Sequence, residues 1–395
     1  MGNKKSSIWS KDFVILCAIG FFITAVQLLL SSVISLYVVH LGGMASDAGA
    51  LSMGFAIAAL IMRFCGGGLS DKKGKRFTMV LGTTAYLIGI LGFMLVPHLA
   101  LLFVFRALQG IGFSLANTAS GAAVSDVVAK ERMGEGMGYY GLGTAIAMAL
   151  GPIVGLKLIG NDNNYTRLFL VVAGIMLVTA ILAWCVTYEK ATGKQNFRKN
   201  NAAVAAGKKS GRLTNPLEKT VLAPATIQTM LTLGQASLTG FFTLFAVSRG
   251  MENAGMFFAI QAMTMFATRI FTGKIADKKG TLRVVIPGLL CGIIGYLILI
   301  FVSSNDLLLL AGLFNGICVG MVQPALTAQA VKRAPAERRG AANATFFLGM
   351  DIANGAGGYL WGSIIDVSGY APVFAGGALL LAAAMVLSMI LLRKE

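Results

Sequence analysis

The residues best able to do chemistry in this chain are charged side chains set inside apolar runs. Asp351 lies about 11 residues into the run 340–365, or about 16 Å along a helix. A carboxyl group at that depth is a candidate proton carrier, and the alternative is an anion held by an arginine from another helix. Arg106 sits about six residues, or about 9 Å, inside the run 100–125, and must find a partner or a wet cavity there. Arg63 and Arg269 each precede an aspartate, Asp71 and Asp277, by eight residues, or about 12 Å of helix. They read as gate residues, with attraction of an anionic solute as the second reading.

The last two pairs belong to a repeat. Gly67-Gly-Leu-Ser-Asp71-Lys-Lys-Gly74 returns 206 residues later as Gly273-Lys-Ile-Ala-Asp277-Lys-Lys-Gly280, and the same shift carries Gly110 onto Gly316, Gly143 onto Gly349 and Gly151 onto Gly357. Internal duplication in a chain of apolar helices points to two halves arranged about a shared centre.

The elements that position these residues are membrane spans. Hydrophobic residues make up 56% of the 395 positions and charged residues 12%, so a water-facing surface could not be covered. Runs of about 20 apolar residues give twelve spans: 13–39, 48–69, 77–97, 100–125, 134–159, 167–188, 220–247, 254–275, 283–303, 306–330, 340–365 and 371–392. They sort six and six. The expected architecture is therefore an all-α polytopic membrane protein with an N-terminal six-helix bundle over 1–188, a polar linker over 189–218 and a C-terminal bundle over 219–395. Gly-rich helices joined by short turns argue against a β-barrel.

The net charge of +17 is concentrated in alternate loops, the linker and the termini. The positive-inside rule then places both termini and the linker in the cytoplasm of a multi-pass protein of the cell membrane. The partners expected are the lipid bilayer, protons and a small-molecule substrate. Nucleic acid is excluded because no folded soluble domain carries the charge. The first apolar run is long enough to span and lacks a cleavage site, so it reads as a span and not a signal peptide. The five cysteines stand singly, and no His–Cys cluster, nucleotide loop or nucleophile motif is present, so neither metal, cofactor nor enzyme chemistry is expected.

Three motifs carry a family resemblance that covers essentially the whole chain. Gly67-Gly-Leu-Ser-Asp71-Lys-Lys-Gly74-Lys75-Arg76 resembles the signature loop of the major facilitator superfamily. Arg106-Ala-Leu-Gln109-Gly110-Ile-Gly112 resembles its arginine motif in the fourth span. Gly151-Pro152-Ile-Val-Gly155-Leu156 resembles its antiporter motif, with Leu where the family has a last Gly. The resemblance implies a secondary active transporter of twelve helices in two pseudo-symmetric bundles, usually monomeric, working by alternating access on a proton gradient. It is most similar to the drug:proton antiporter-like efflux branch. Asp71, Lys75 and Asp126 would form a relay docking on the eleventh span, with Arg76, Asp277 and Gly280 in the latch. Arg106 would serve proton coupling by favouring the charged form of a nearby carboxylate in one conformation only. Gly151, Pro152 and Gly155 would form a pliable seam associated with export. A proton-coupled importer is the alternative, and a non-transporting sensor a further one.

The substrate cavity implied by that fold is lined by the first, fourth, seventh and tenth spans. Polar stripes at three-to-four-residue spacing mark Gln27 and Ser31 in the first, and Gln235 and Thr239 in the seventh. Asn117 and Gln323 stand 206 residues apart and would face the centre. The first span has no buried acid, since Asp12 lies at its start, which argues against broad export of cationic drugs.

Overall fold

The computed structural model describes residues 8–96, 98–129, 132–160, 162–189, 218–251, 254–335 and 339–392. Regular structure among them is entirely helical: α1 (Lys11–His40), α2 (Ala45–Lys73), α3 (Lys75–Leu95), α4 (Leu99–Val127), α5 (Met133–Ile159), α6 (Tyr165–Cys185), α7 (Leu222–Ser248), α8 (Ala254–Lys279), α9 (Leu282–Ile300), α10 (Asn305–Arg333), α11 (Arg339–Ser368) and α12 (Tyr370–Leu391), with a short 3-10 turn at Lys219–Val221 before α7. Each of the twelve expected spans coincides with one of these helices, with five of them, 77–97, 167–188, 220–247, 283–303 and 371–392, overrunning a helix end by one to three residues. Ten are long and apolar enough to cross a membrane; α5 and α11 match them in length at 27 and 30 residues. Large apolar side chains such as Ile88, Leu177 and Leu379 lie exposed on the outer surface, where lipid tails can cover them.

Short polar side chains start several helices where free backbone N–H groups need acceptors. Ser10, Asn164 and Ser304 accept from Phe13, Arg167 and Leu307 at the starts of α1, α6 and α10. The signature segment differs from expectation. It is not a loop: α2 continues through Lys73, and α3 begins at Lys75. Gly74 alone makes the turn, at φ +94, and Gly280 repeats it at φ +88. A left-handed backbone reverses the chain in one step there, so the glycines before it are released to be helical.

Duplication extends into the packing. Methyl groups on Gly110 and Gly316 would collide with the backbones of Phe55 and Gln261, which themselves stand 206 residues apart. Gln109 packs on Gly89, and Asn315 packs on Gly295, again at the same shift. Each half thus brings its second and third helices against its fourth by backbone-close contacts that only small residues permit.

Three apolar cores hold the helices. One contains residues only of the second half, from Val221 to Leu392. Another, built from Phe13, Leu16, Met79, Val124 and Ala183 among others, contains residues only of the first half. The third joins both halves, packing Val33 and Tyr37 of α1 in one cluster with Ala236 and Phe241 of α7 and Trp361 of α11. It lies toward the end of the molecule that carries His40 and Ala45. The two halves therefore share a core at one end and keep separate cores at the other.

Candidate functional site

The closed end is built by two helix pairs. Along α2 and α11, Gly362 lies against the backbone of Ala45, Gly358 against Gly49 and Ser52, and Gly355 against Met53 and Ala56. Gly49 could not carry a methyl, because the carbonyl of Gly358 occupies its place. At the mouth, the carboxylate of Asp366 accepts from the N–H groups of Ala45 at 2.9 Å and Ser46 at 2.8 Å. An anion on the positive end of α2 closes that end electrostatically as well as sterically.

The Arg63–Asp351 pair is the last rung of this seam. Nη1 of Arg63 stands 2.8 Å from Oδ2 of Asp351. The contact is a charge pair without hydrogen-bond alignment, and that oxygen has no hydrogen-bond donor among the described residues. Both side chains keep partial exposure, 38% and 26%. Beyond them a methyl on Gly68 would meet open space. The acid expected to be a proton carrier and the arginine expected at a gate are thus one unit, placed where the two halves separate.

The Gly151-Pro152-Gly155 segment lies at the second seam. Gly151 packs on Leu28 and Leu29 of α1, and Gly155 on Leu29 and Val33, so closely that an added methyl would lie 3.1–3.4 Å from the atoms of α1. Ile153, on the other side of α5, meets Gly255 of α8. Pro152 is buried within the helix. The motif therefore sits at a three-helix junction joining α1, α5 and α8.

Arg106 is 2% exposed and separate from Asp351 in its contacts. Its Nη1 donates to Oε1 of Gln109 at 2.7 Å, and its guanidinium lies 4.6 Å from the centre of the Phe55 ring. Gln109 in turn donates to the carbonyl of Gly89 at 3.1 Å. An arginine held by an amide and a ring ties α4 to α2 and α3. It faces no carboxylate among the described residues, and the arginine that meets Asp351 is Arg63, which faces α11.

The other latch residues form a network at the open end. Nζ of Lys75 reaches Oδ2 of Asp126 at 2.5 Å and the carbonyl of Ala122 at 3.0 Å. Glu189 accepts from the backbone N–H groups of Lys75 at 2.6 Å and Arg76 at 3.2 Å, capping α3. Tyr188 donates to Asp126, and burial, with Glu189 and Asp126 beside it, holds its phenol above the ordinary value. Arg76 bonds the carbonyl of Trp184 and lies over its ring. Gly67 and the side chains of Asp71 and Asp277 lie outside the described side chains, so their part in the relay and latch remains an expectation.

Polar side chains in the interior pair off. Gln27 donates to Ser31 at 3.1 Å within α1, and Gln235 to Asn315 at 3.2 Å between α7 and α10. Arg269 donates to Gln323 at 3.4 Å. Thr239 bonds back to the carbonyl of Gln235, while Asn117 is half-buried. Asn315, Asp366 and Glu189 were not anticipated. The shift of 206 from Gln109 would have found Asn315, and the small residues at 358 and 362 marked a packing face; nothing local signals that Asp366 and Glu189 cap distant helices.

This chain is similar to known membrane carriers. It is 24% identical over 373 residues to an uncharacterised MFS-type transporter of Methanocaldococcus jannaschii, covering 93% of this chain and 92% of that one. It is 24% identical to the staphylopine export protein of Staphylococcus aureus, covering 85% of each. Its fold matches the crystal structure of the nucleoside transporter NupG with a TM-score of 0.76 at 14% identity, over 96% of this chain and 99% of that one. The family model of the Major Facilitator Superfamily matches residues 15–305 and 252–395. With duplicated six-helix halves, a glycine seam between them and a charge pair where they part, this chain is a membrane transporter belonging to the Major Facilitator Superfamily.

Proposed function

We propose that this protein exports a small organic molecule in exchange for protons, by alternating access, as a member of the drug:proton antiporter-like branch. The observation that carries the reading is the Arg63–Asp351 pair: the single acid at mid-helix depth bridges the two halves at the last rung of the closed seam. A proton on Asp351 neutralises the carboxylate, dissolves the pair and loosens α2 from α11. Occupancy of one site by a proton is thereby coupled to the balance between two conformations.

With both termini and the 189–218 linker in the cytoplasm of the cell membrane, as the basic loops favour, the open end faces inward. The ionised pair then represents the carrier after release of its proton to the cytoplasm, ready to load. Bundles 1–188 and 219–395 rock about the centre in this reading, and Gly151, Pro152 and Gly155 supply a tight junction for α5 to pivot against α1 and α8. Export as the direction draws on that motif and on similarity to a protein named for staphylopine export.

Purified protein in liposomes holding an internal pH dye tests the proposal, with a chemically diverse solute panel applied to wild type and Asp351→Asn. Solute-driven proton movement opposite in direction to the solute, lost in the variant, is expected. Movement that survives in the variant removes Asp351 as the carrier. Movement in the same direction as the solute makes the protein an importer instead.

A further inference from the structure

The duplication preserved two arginines and one acid. Arg63 and Arg269 stand 206 residues apart, each ten residues before the end of its helix, since α2 ends at Lys73 and α8 at Lys279. Arg63 is neutralised by Asp351. The position 206 residues before Asp351 is Ala145, in α5, and α5 packs on α8 as α11 packs on α2. The repeat therefore carries an alanine at the position where the other half carries the carboxylate that pairs with Arg63.

No other acid of the sequence stands at comparable helix depth. Of the 16 Asp and Glu residues, all but Asp351 fall in the end turns of helices, in connecting segments or at the terminus. The partner that the structure gives Arg269 is a neutral one, Oε1 of Gln323 at 3.4 Å. The side chain is exposed, and one turn along the same face a methyl on Gly273 would meet nothing within 4 Å. A guanidinium held at mid-helix depth, beside open space and with no carboxylate partner among the described residues, is an expensive arrangement in a membrane. It presents a fork of donors matched to a planar or tetrahedral oxyanion.

We infer that the transported molecule carries a carboxylate or phosphate group, which Arg269 and Gln323 bind as the counter-ion that the chain omits at position 145. This assignment rests on the transport reading, because it takes the open interior as the substrate path. It also divides the labour of the two halves. Asp351 on Arg63 handles the proton, and the equivalent place in the other half, left without an acid, handles the anion.

The test uses the full chain in nanodiscs of zwitterionic phosphatidylcholine, with benzoate, succinate and phenyl phosphate as probes and benzamide and succinamide as their neutral counterparts. Binding is read as a shift in melting temperature against probe concentration. The anions are expected to stabilise wild type and the amides not to. Arg269→Gln is expected to weaken the anion response about tenfold or more, and Arg269→Lys to retain part of it. Ala145→Asp, which supplies an internal counter-ion while leaving Arg269 in place, is expected to abolish the response as well.

Anions that fail to stabilise wild type, or that act equally on Arg269→Gln, overturn the inference. A response to phosphatidylglycerol in the bilayer that is lost in Arg269→Gln, without a response to the soluble anions, assigns the site to a lipid headgroup and overturns it as a substrate site. Proton flux measured separately, in sealed phosphatidylcholine liposomes holding an internal pH dye, separates the two readings. Flux driven only by neutral solutes keeps coupled transport and sinks the anion site, whereas anion binding lost in Arg269→Gln without flux keeps the site and sinks proton coupling.

Discussion

Arg63 of α2 and Asp351 of α11 meet at 2.8 Å although 288 residues separate them in the chain, and they form the last contact of a seam whose other rungs are glycines. A glycine seam is either packed or apart, while an ion pair at its edge adds a term that one proton can remove. The expected behaviour of variants follows from that division. Asp351→Asn abolishes proton movement, whereas Arg63→Gln leaves an acid without its cation and lowers thermal stability more than the double variant does. Because both side chains are partly exposed, a double-mutant cycle on melting should return an interaction of about 1 kcal/mol. A cycle returning zero would show that the pair does not join the halves.

Asp366 closes the opposite end of the same seam by accepting two backbone N–H groups of α2. Asp366→Asn loses the charge and one good acceptor, at a cost of about 1–2 kcal/mol to the closed state. That corresponds to about a 5–30-fold shift toward the state open at that end. Labelling of a Ser46→Cys reporter by a membrane-impermeant thiol reagent should rise accordingly. Unchanged labelling would mean that the glycine contacts alone hold the end closed.

At the other end, Glu189 caps α3 and Lys75 bonds Asp126. Glu189→Gln should lower stability by about 1 kcal/mol, as expected for a charge-assisted cap. The difference between wild type and Lys75→Met should shrink in about 1 M salt, because Asp126 is well exposed and exposed charges are screened. A difference independent of salt would point to the carbonyl of Ala122 as the contact that matters.

Repeated packing makes a prediction about repeated damage. Gly110→Ala and Gly316→Ala each place a methyl on the backbone of a neighbouring helix, at Phe55 and Gln261, and should each cost about 1–3 kcal/mol with lost transport. Gly138→Ala, where a methyl meets nothing within 4 Å, should be neutral or stabilising. Melting temperatures of the three proteins settle the ranking, and similar values for all three would refute backbone contact as the reason for glycine.

Element identity was legible because it depends on local composition. A run of about 20 apolar residues has no alternative to a helix in lipid, so twelve spans could be placed without knowing what any of them touches. The turn at Gly74 was less legible. Both Gly67-Gly68 and Gly74 look like turn residues in sequence, and the choice between them depends on whether α2 has a neighbour along its last two turns.

The candidate site was legible by residue but not by pairing. Asp351 and Arg63 announced themselves as charges at the wrong depth for lipid, and so did Arg106, yet depth does not give azimuth. Arg106 turned toward Phe55 and Gln109 on its own half, and Arg63 turned toward α11. Choosing between them as the partner of Asp351 required the crossing of helices far apart in sequence. By itself the sequence determined the helices, the duplication and the scarcity of acids inside them, because these are properties of composition and spacing along one strand of chain. Only the tertiary structure decided that the glycines of α2 and α11 interlock, that Asp366 and Glu189 cap helices far away in the chain, and that Arg63 meets a carboxylate while Arg269 meets Gln323, because each depends on which helix faces which.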